Sequence, residues 1–184
     1  LRGDLRYNDR LEDLSPEAIA ARLAFARDRL ARLNAINREA LTAADRLNFD
    51  LLHLSLSRAI DGAAFHQEQI PFDDRFGPQI DLPQLPDRLP LDSDRLLADY
   101  AARIEAMPRL IEQTIALARA GLASKRVPPK VCVAHVLDQV RRQCTPALKA
   151  DPTASAIYRP FLARPEGDAI AARARAATAK VVEA

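Results

Sequence analysis

The chain has 184 residues, 48% of them hydrophobic, which is enough for a packed core. Lys and Arg number 27 against 25 Asp and Glu, and the net charge of +2 excludes the one-signed field that nucleic-acid binders present. Aromatic residues make up 5%, Gly numbers 5 and Trp is absent, while Ala and Leu dominate, so composition favours an all-α fold before any pattern is considered.

The opening, residues 1–14, is charged and irregular. Ser15-Pro16-Glu17 then reads as an N-cap, a proline at the first helical position and an early acid. Ile19, Leu23, Ala26, Leu30 and Leu33 follow at spacings of four and three, one apolar stripe of an amphipathic helix. Thr42 with Asp45 three residues on starts a second helix, predicted to run to Phe65. It carries one stripe of Leu47, Leu51 and Leu54 and another of Phe49, Leu52, Leu56 and Ile60, so neighbours are expected on two sides.

Residues 67–92 differ. Pro71, Pro78, Pro83, Pro86 and Pro90 exclude a regular helix. Ile70, Phe72, Phe76, Ile80, Leu82, Leu85, Leu89 and Leu91 are too apolar for a disordered linker. The expectation is a long, proline-rich, ordered and largely extended loop pressed onto other structure. Structureless connections beyond ~15 residues are uncommon unless they are functional or disordered.

A third helix begins near Asp92 or Ser93 and carries Leu96, Leu97, Tyr100, Ile104 and Met107. Pro108 either restarts a fourth helix or kinks a continuous one. Ile111, Ile115, Ala118 and Leu122 continue the pattern, and Gly121 marks a stop. Pro128-Pro129 opens another helix with Val133, Leu137, Val140 and Cys144 as its stripe, and Pro146 ends it. If that helix is continuous, Cys132 and Cys144 lie about 18 Å apart at 1.5 Å rise per residue, too far for a disulfide. Residues 151–165 read as a loop. An Ala-rich helix over 166–184 closes the sequence without a C-cap signal, as if truncated. It is expected to find little to pack against and to exchange its amides quickly. The whole reads as a single helical segment, residues 1–184, an array of about six helices.

No chemistry is self-contained. His53, His66 and His135 include no pair one helical turn apart, as zinc-protease chemistry needs, and no residue is assigned as a metal ligand or catalytic group. Asp50 lies three residues before His53 and Asp138 three after His135, which supplies two donors where a site needs three or four. Asp73-Asp74 is the one carboxylate pair singled out, and a solvated or Arg-paired turn is its default reading. There is no glycine-rich phosphate loop and no Gly-x-Ser-x-Gly elbow. Cys144 follows Arg141 and Arg142, which would lower a thiol pKa, but its place in the apolar stripe argues for packing. No apolar run reaches the ~18 residues of a membrane span.

The succession of motifs resembles a bacterial family called domain of unknown function 885. The resemblance rests on Gly3-Asp4-Leu5-Arg6-Tyr7-Asn8-Asp9-Arg10 with Leu14-Ser15-Pro16-Glu17, then on Ala44-Asp45-Arg46-Leu47-Asn48-Phe49-Asp50-Leu51-Leu52. It continues in Phe76-Gly77-Pro78-Gln79-Ile80-Asp81-Leu82-Pro83, in Gly121-Leu122-Ala123 before Val127-Pro128-Pro129-Lys130-Val131, and in Ile157-Tyr158-Arg159-Pro160-Phe161. Each motif alone is weak, and their order is the specific feature. Members of that family are longer and look like zinc metallopeptidases of the helical gluzincin type. Their zinc motif, a His-Glu followed by Pro-Gly-His-His, lies in the C-terminal half.

The resemblance therefore implies that this chain is a non-catalytic N-terminal portion and forms scaffold or one wall of a substrate cleft. Zinc would be a cofactor only of the missing C-terminal half, which would be its partner together with a peptide substrate. Many relatives are exported or lipid-anchored, which implies a periplasmic or envelope location. The alternative is a free-standing helical scaffold or interaction module. Asp73, Asp74 and Arg75, on the outer side of the proline-rich loop, are the residues expected at a cleft or interface. A structural belt that only seals the bundle is the competing role for that loop.

Overall fold

A computed structural model of the chain describes residues 5–184. Gly3 and Asp4, which open the first motif, lie outside the described residues. The described residues are helical, with no strand among them, and the all-α expectation holds. They divide into two compact units, one of residues 13–69 and one of residues 5–12 with 70–184.

The smaller unit is a helical hairpin of α1 (Pro16–Asn34) and α2 (Ala43–Gly62), packed against each other. Both helices start as their sequences predict. Ser15 Oγ accepts from the Ala18 amide at 3.3 Å. Thr42 Oγ1 accepts from the Asp45 amide at 3.2 Å and donates to its carboxylate at 2.7 Å. The connection is clamped by Arg38, whose guanidinium donates to both carboxylate oxygens of Asp50 at 2.8 and 2.7 Å. That pairing holds the Asp50 carboxyl below its usual range. Ala26 and Leu33 bury one face of α1. α2 departs from the expectation of neighbours on two sides, because Leu47, Leu51 and Leu54 stay exposed at 60%, 57% and 46%. The other stripe is only partly covered, with Phe49, Leu56 and Ile60 half-buried and Leu52 exposed.

The larger unit is built on α4 (Asp94–Ala123), and α3, α5, α6, α7 and α8 span Pro78–Gln84, Lys130–Val133, Val136–Gln143, Pro146–Ala150 and Ala169–Glu183. α4 begins at Ser93, whose Oγ accepts from the Leu96 amide at 3.4 Å. It runs through Pro108 as one helix. The proline forfeits one backbone bond to the carbonyl a turn earlier, and flanking apolar contacts outweigh that loss. Its core face is Leu97, Tyr100, Ala101, Ile104 and Met107, the last four fully buried.

Three expectations are corrected here. The proline-rich stretch is not devoid of helix, since α3 and a 3-10 turn, Leu85–Arg88, lie within it. Pro78 and Pro86 each sit in the first turn of their element, where a proline sacrifices no helical bond. The helix expected to carry both cysteines breaks at Ala134–His135 into α5 and α6, so the 18 Å separation does not apply. Both thiols are nevertheless free. Pro146 does not simply end a helix but starts α7, capped by Thr145.

The final helix also departs from its expectation. It is not weakly packed but docks along α4, burying Ala171, Ala174, Ala177, Thr178, Val181 and Val182. Small side chains at spacings of three and four let two helix backbones approach closely. Thr178 hides its hydroxyl by donating to the Ala174 carbonyl at 2.8 Å. Outside the buried face, Arg173 donates to both carboxylate oxygens of Glu105 at 2.6 and 2.5 Å.

The stretch read as a loop before it is also structured. A 3-10 turn, Ala156–Phe161, delivers Ile157, Tyr158 and Phe161 into the core. The Phe161 ring stacks on Tyr100 at 5.8 Å and lies 5.4 Å from Tyr158. Tyr100 donates its hydroxyl to the Ile157 carbonyl at 2.9 Å, and burial raises its pKa above the ordinary tyrosine range. Residues 5–12 join the same unit. Asn8 is buried and accepts from Arg103 at 3.1 Å, and Leu11 packs on the core. Burial lowers the Arg103 pKa, against the charges of Asp9 and Asp99. No helix among the described residues is long and apolar enough to cross a membrane.

α8 owes its start to Asp168, whose carboxylate accepts from the Ala171 amide at 2.8 Å and from Arg164 Nε at 3.0 Å. Arg164 first, then the backbone amide, holds the Asp168 carboxyl below its usual range. A carboxylate with a depressed folded pKa stabilises above its unfolded value, near ~3.9, and that contribution fades as pH falls through the folded value. Asn caps helices as well as Asp but does not titrate. The chain should therefore exceed an Asp168→Asn variant in urea midpoint at pH 7, and the gap should close as pH is taken below ~4. A gap that stays constant from pH 7 to 3 would contradict this.

Candidate functional site: an apolar cleft

The larger unit contains a cleft of about 300 Å³. Its floor comes from α4 through Ile111, Thr114 and Ile115, and from Ile157 and Ser155 ahead of the core turn. Val136, Val140, Gln143 and Cys144 of α6 and its cap form one side. Phe72, Pro78, Gln79, Leu82 and Pro83 form another, and Val181, Val182 and Ala184 complete the lining. No lining side chain carries a formal charge.

The wall from the proline-rich stretch is held by a compact turn. Asp73 Oδ1 accepts from the Arg75 and Phe76 amides at 2.7 and 2.9 Å, and the Asp73 amide donates to the Phe76 carbonyl at 3.0 Å. Gln79 Nε2 closes the turn on the Asp73 carbonyl at 2.7 Å and reaches Gln139 Oε1 at 3.3 Å. Gln139 returns a bond to the Asp74 carbonyl at 3.0 Å, and the Asp74 amide donates to the Cys132 carbonyl at 2.7 Å. The wall is thus stitched to α5 and α6 by neutral amides, each satisfying a backbone group that would otherwise be costly to enclose.

Gly77 is the pivot between this turn and α3. Its φ is +123°, a region L side chains rarely adopt. A Cβ there would meet Phe72 Cβ at 2.5 Å and Gln79 Oε1 at 2.6 Å.

The residues singled out from sequence sit beside the cleft rather than in it. The Asp73 carboxylate is committed to backbone amides, Asp74 contributes its backbone to the stitching, and Arg75 is exposed. Their neighbours Phe72, Pro78 and Gln79 line the cleft instead. In the smaller unit, His53 stacks on Phe49 at 6.2 Å and His66 Nδ1 lies 3.0 Å from Glu68. His135 immediately precedes α6 in the larger unit and makes no side-chain capping bond to it. Among the described residues, no three His, Cys, Asp or Glu side chains converge as a metal would need.

The cleft face of α6, Val136, Val140, Gln143 and Cys144, follows spacings of four, three and one. The predicted stripe of Val133, Leu137, Val140 and Cys144 shares Val140 and Cys144 with it and departs elsewhere because the helix restarts at Val136, leaving Leu137 57% exposed. Gln79 and Gln139, 60 residues apart in sequence, carried no signal of their pairing.

Polar atoms in the cleft are few and mostly engaged. Thr114 donates to the Leu110 carbonyl at 2.7 Å, and Ser155 Oγ accepts from the Ile157 amide at 3.4 Å. Such a surface can enclose an apolar group, and its lining includes no His, Asp, Glu, Lys or Tyr side chain.

The family model described as "Bacterial protein of unknown function (DUF885)" matches residues 1–184, and the chain belongs to that family. No curated protein matches it.

Because Gly77 has neither the room nor the φ for a side chain, Gly77→Ala should destabilise the larger unit by more than ~1 kcal/mol. It should also shift the resonances of Phe72, Gln79 and Gln139 together. Urea denaturation and amide spectra would check both, and an unchanged midpoint would contradict the geometry.

Proposed function

We propose that this DUF885 chain is a non-catalytic helical portion of a zinc metallopeptidase-like protein, and that its apolar cleft serves as one wall of the substrate site. The observation that carries the reading is the cleft itself, concave, uncharged and walled on one side by the proline-rich stretch. Pockets with mostly apolar walls and a few placed polar groups are the usual form of ligand sites. The resemblance to metallopeptidases supplies the reaction class, hydrolysis of peptides, and the periplasmic or envelope setting.

His53 stacks on Phe49 and His66 lies beside Glu68, and among the described residues no three His, Cys, Asp or Glu side chains converge, so the reading assigns zinc to the portion that carries the motif. The role left to the chain is to enclose and orient an apolar part of the substrate. Asp73, Asp74 and Arg75 would extend that wall outward, toward the portion that carries the zinc motif. The exposed stripe of Leu47, Leu51 and Leu54 favours a second reading, a helical interaction module that covers this face with a partner.

The coding sequence beyond codon 184 separates the two. An open frame reaching a His-Glu and Pro-Gly-His-His motif supports the first reading, and a stop codon supports the second. In the protein that carries the motif, Asp74→Ala and Arg75→Ala should lower peptidase activity with little change in melting temperature. The 184-residue chain alone should bind no stoichiometric zinc and cleave no peptide. One-to-one zinc binding that disappears with His53→Ala, His66→Ala or His135→Ala would contradict the assignment.

A further inference from the structure

We infer that the cleft is selective for an aliphatic residue of a peptide, and that Gln143 is the specificity residue that reads the amide beside it. The inference rests on the cleft-wall reading above and names the ligand class.

Size comes first. A volume of about 300 Å³ equals roughly ten water molecules at ~30 Å³ each. That admits one or two large aliphatic side chains and excludes a helix, whose diameter is ~10 Å. The chemistry of the walls is equally restrictive. Leu82, Ile111, Ile115, Val136, Val140 and Val182 supply aliphatic contacts, and no lining side chain is charged. A charged group brought here would lose its hydration without gaining an oppositely charged side chain.

The polar side chains then narrow the choice. Thr114 donates to its own helix, Ser155 caps the following turn, and Gln79 Nε2 serves Asp73, Phe76 and Gln139. Gln143 is different. It is half-buried in the lining, and its amide meets no hydrogen-bond partner among the described residues. It therefore presents one acceptor and one donor group, whose complement is a secondary amide with its own N–H and C=O. Gln143 stands one helical turn from Val140 on the same face of α6, so the amide it reads must lie within a few bonds of the aliphatic group. An amino-acid residue in a peptide has that spacing, whereas the head of a long acyl chain does not. Ile115 and Val140, partly exposed, extend the apolar surface outward and give the ligand its entrance.

The test needs no catalysis. The full 184-residue chain would be titrated with N-acetyl-leucine-N-methylamide while the methyl resonances of Leu82, Val136, Val140 and Val182 are followed. Saturable shifts confined to these methyls are expected, with at least tenfold weaker binding of the neutral, polar N-acetyl-glutamine analogue. Gln143→Met keeps length and removes the amide, and should weaken the leucine amide about three- to tenfold, the range one hydrogen bond spans. It should leave 4-methylpentan-1-ol, which has the side chain and no amide, unchanged. Absent cleft shifts, equal binding of the glutamine analogue, or equal weakening of amide and alcohol by Gln143→Met would each overturn the inference. None of those results would bear on whether the chain belongs to a zinc enzyme, which the coding sequence decides.

Discussion

The docking of α8 along α4 is the contact on which the larger unit depends. Tyr100, Ala101, Ile104 and Met107 of α4 have almost no exposure, and Ala174, Ala177 and Val182 of α8 are similarly enclosed. Burying each large apolar side chain is worth roughly 1.5–3 kcal/mol, so this face outweighs any surface ion pair in the molecule. The turn carrying Ile157, Tyr158 and Phe161 wedges into the same core, with Tyr100 and Phe161 stacked. Two tyrosine hydroxyls then reach backbone carbonyls, Tyr100 to Ile157 and Tyr158 to Ala171. Aromatic rings are thereby buried without stranding their polar ends.

The cleft follows from that core. Past Met107, α4 carries Ile111 and Ile115, which line the cleft together with the proline-rich wall, α6 and the end of α8. The wall is held at a distance by its own geometry, a turn built by Asp73, a glycine pivot at Gly77 and a short α3. Prolines at the first turns of α3 and the following 3-10 element limit how closely it can settle. Gln79 and Gln139 then fix the wall against α6 instead of letting it collapse onto α4. Carboxylates in the turn serve structure, and the cleft remains neutral.

Much of this organisation was legible in the sequence, and the failures have physical causes. The starts of α1, α2 and α4 were readable because Ser15, Thr42 and Ser93 are strong N-caps placed before periodic apolar runs. Pro108 left two outcomes open because a single lost backbone bond cannot decide against long-range packing that only the fold supplies. Periodicity could not see the break at Ala134–His135, which has no proline or glycine to mark it. The docking of α8 was missed for a related reason. An Ala-rich helix has a weak apolar stripe, and its small residues become informative only when a complementary face such as α4 is known. The cleft lay in the least predictable stretch. Its wall depends on positive φ at Gly77 and on amide pairs between residues distant in sequence, neither of which periodicity reports. Asp73, Asp74 and Arg75 lie between cleft-lining residues, Phe72 on one side and Pro78 and Gln79 on the other.

Native-state amide hydrogen exchange across α8 tests the central claim most directly. A helix of 15 residues is marginal in water without tertiary contacts, so protection there reports docking rather than local propensity. The account predicts that the amides of Ala174, Ala177 and Thr178 exchange only through global unfolding, with protection equal to that of Ile104 and Met107 in α4. Exchange of α8 at the rate of an isolated helix, while α4 stays protected, would contradict it.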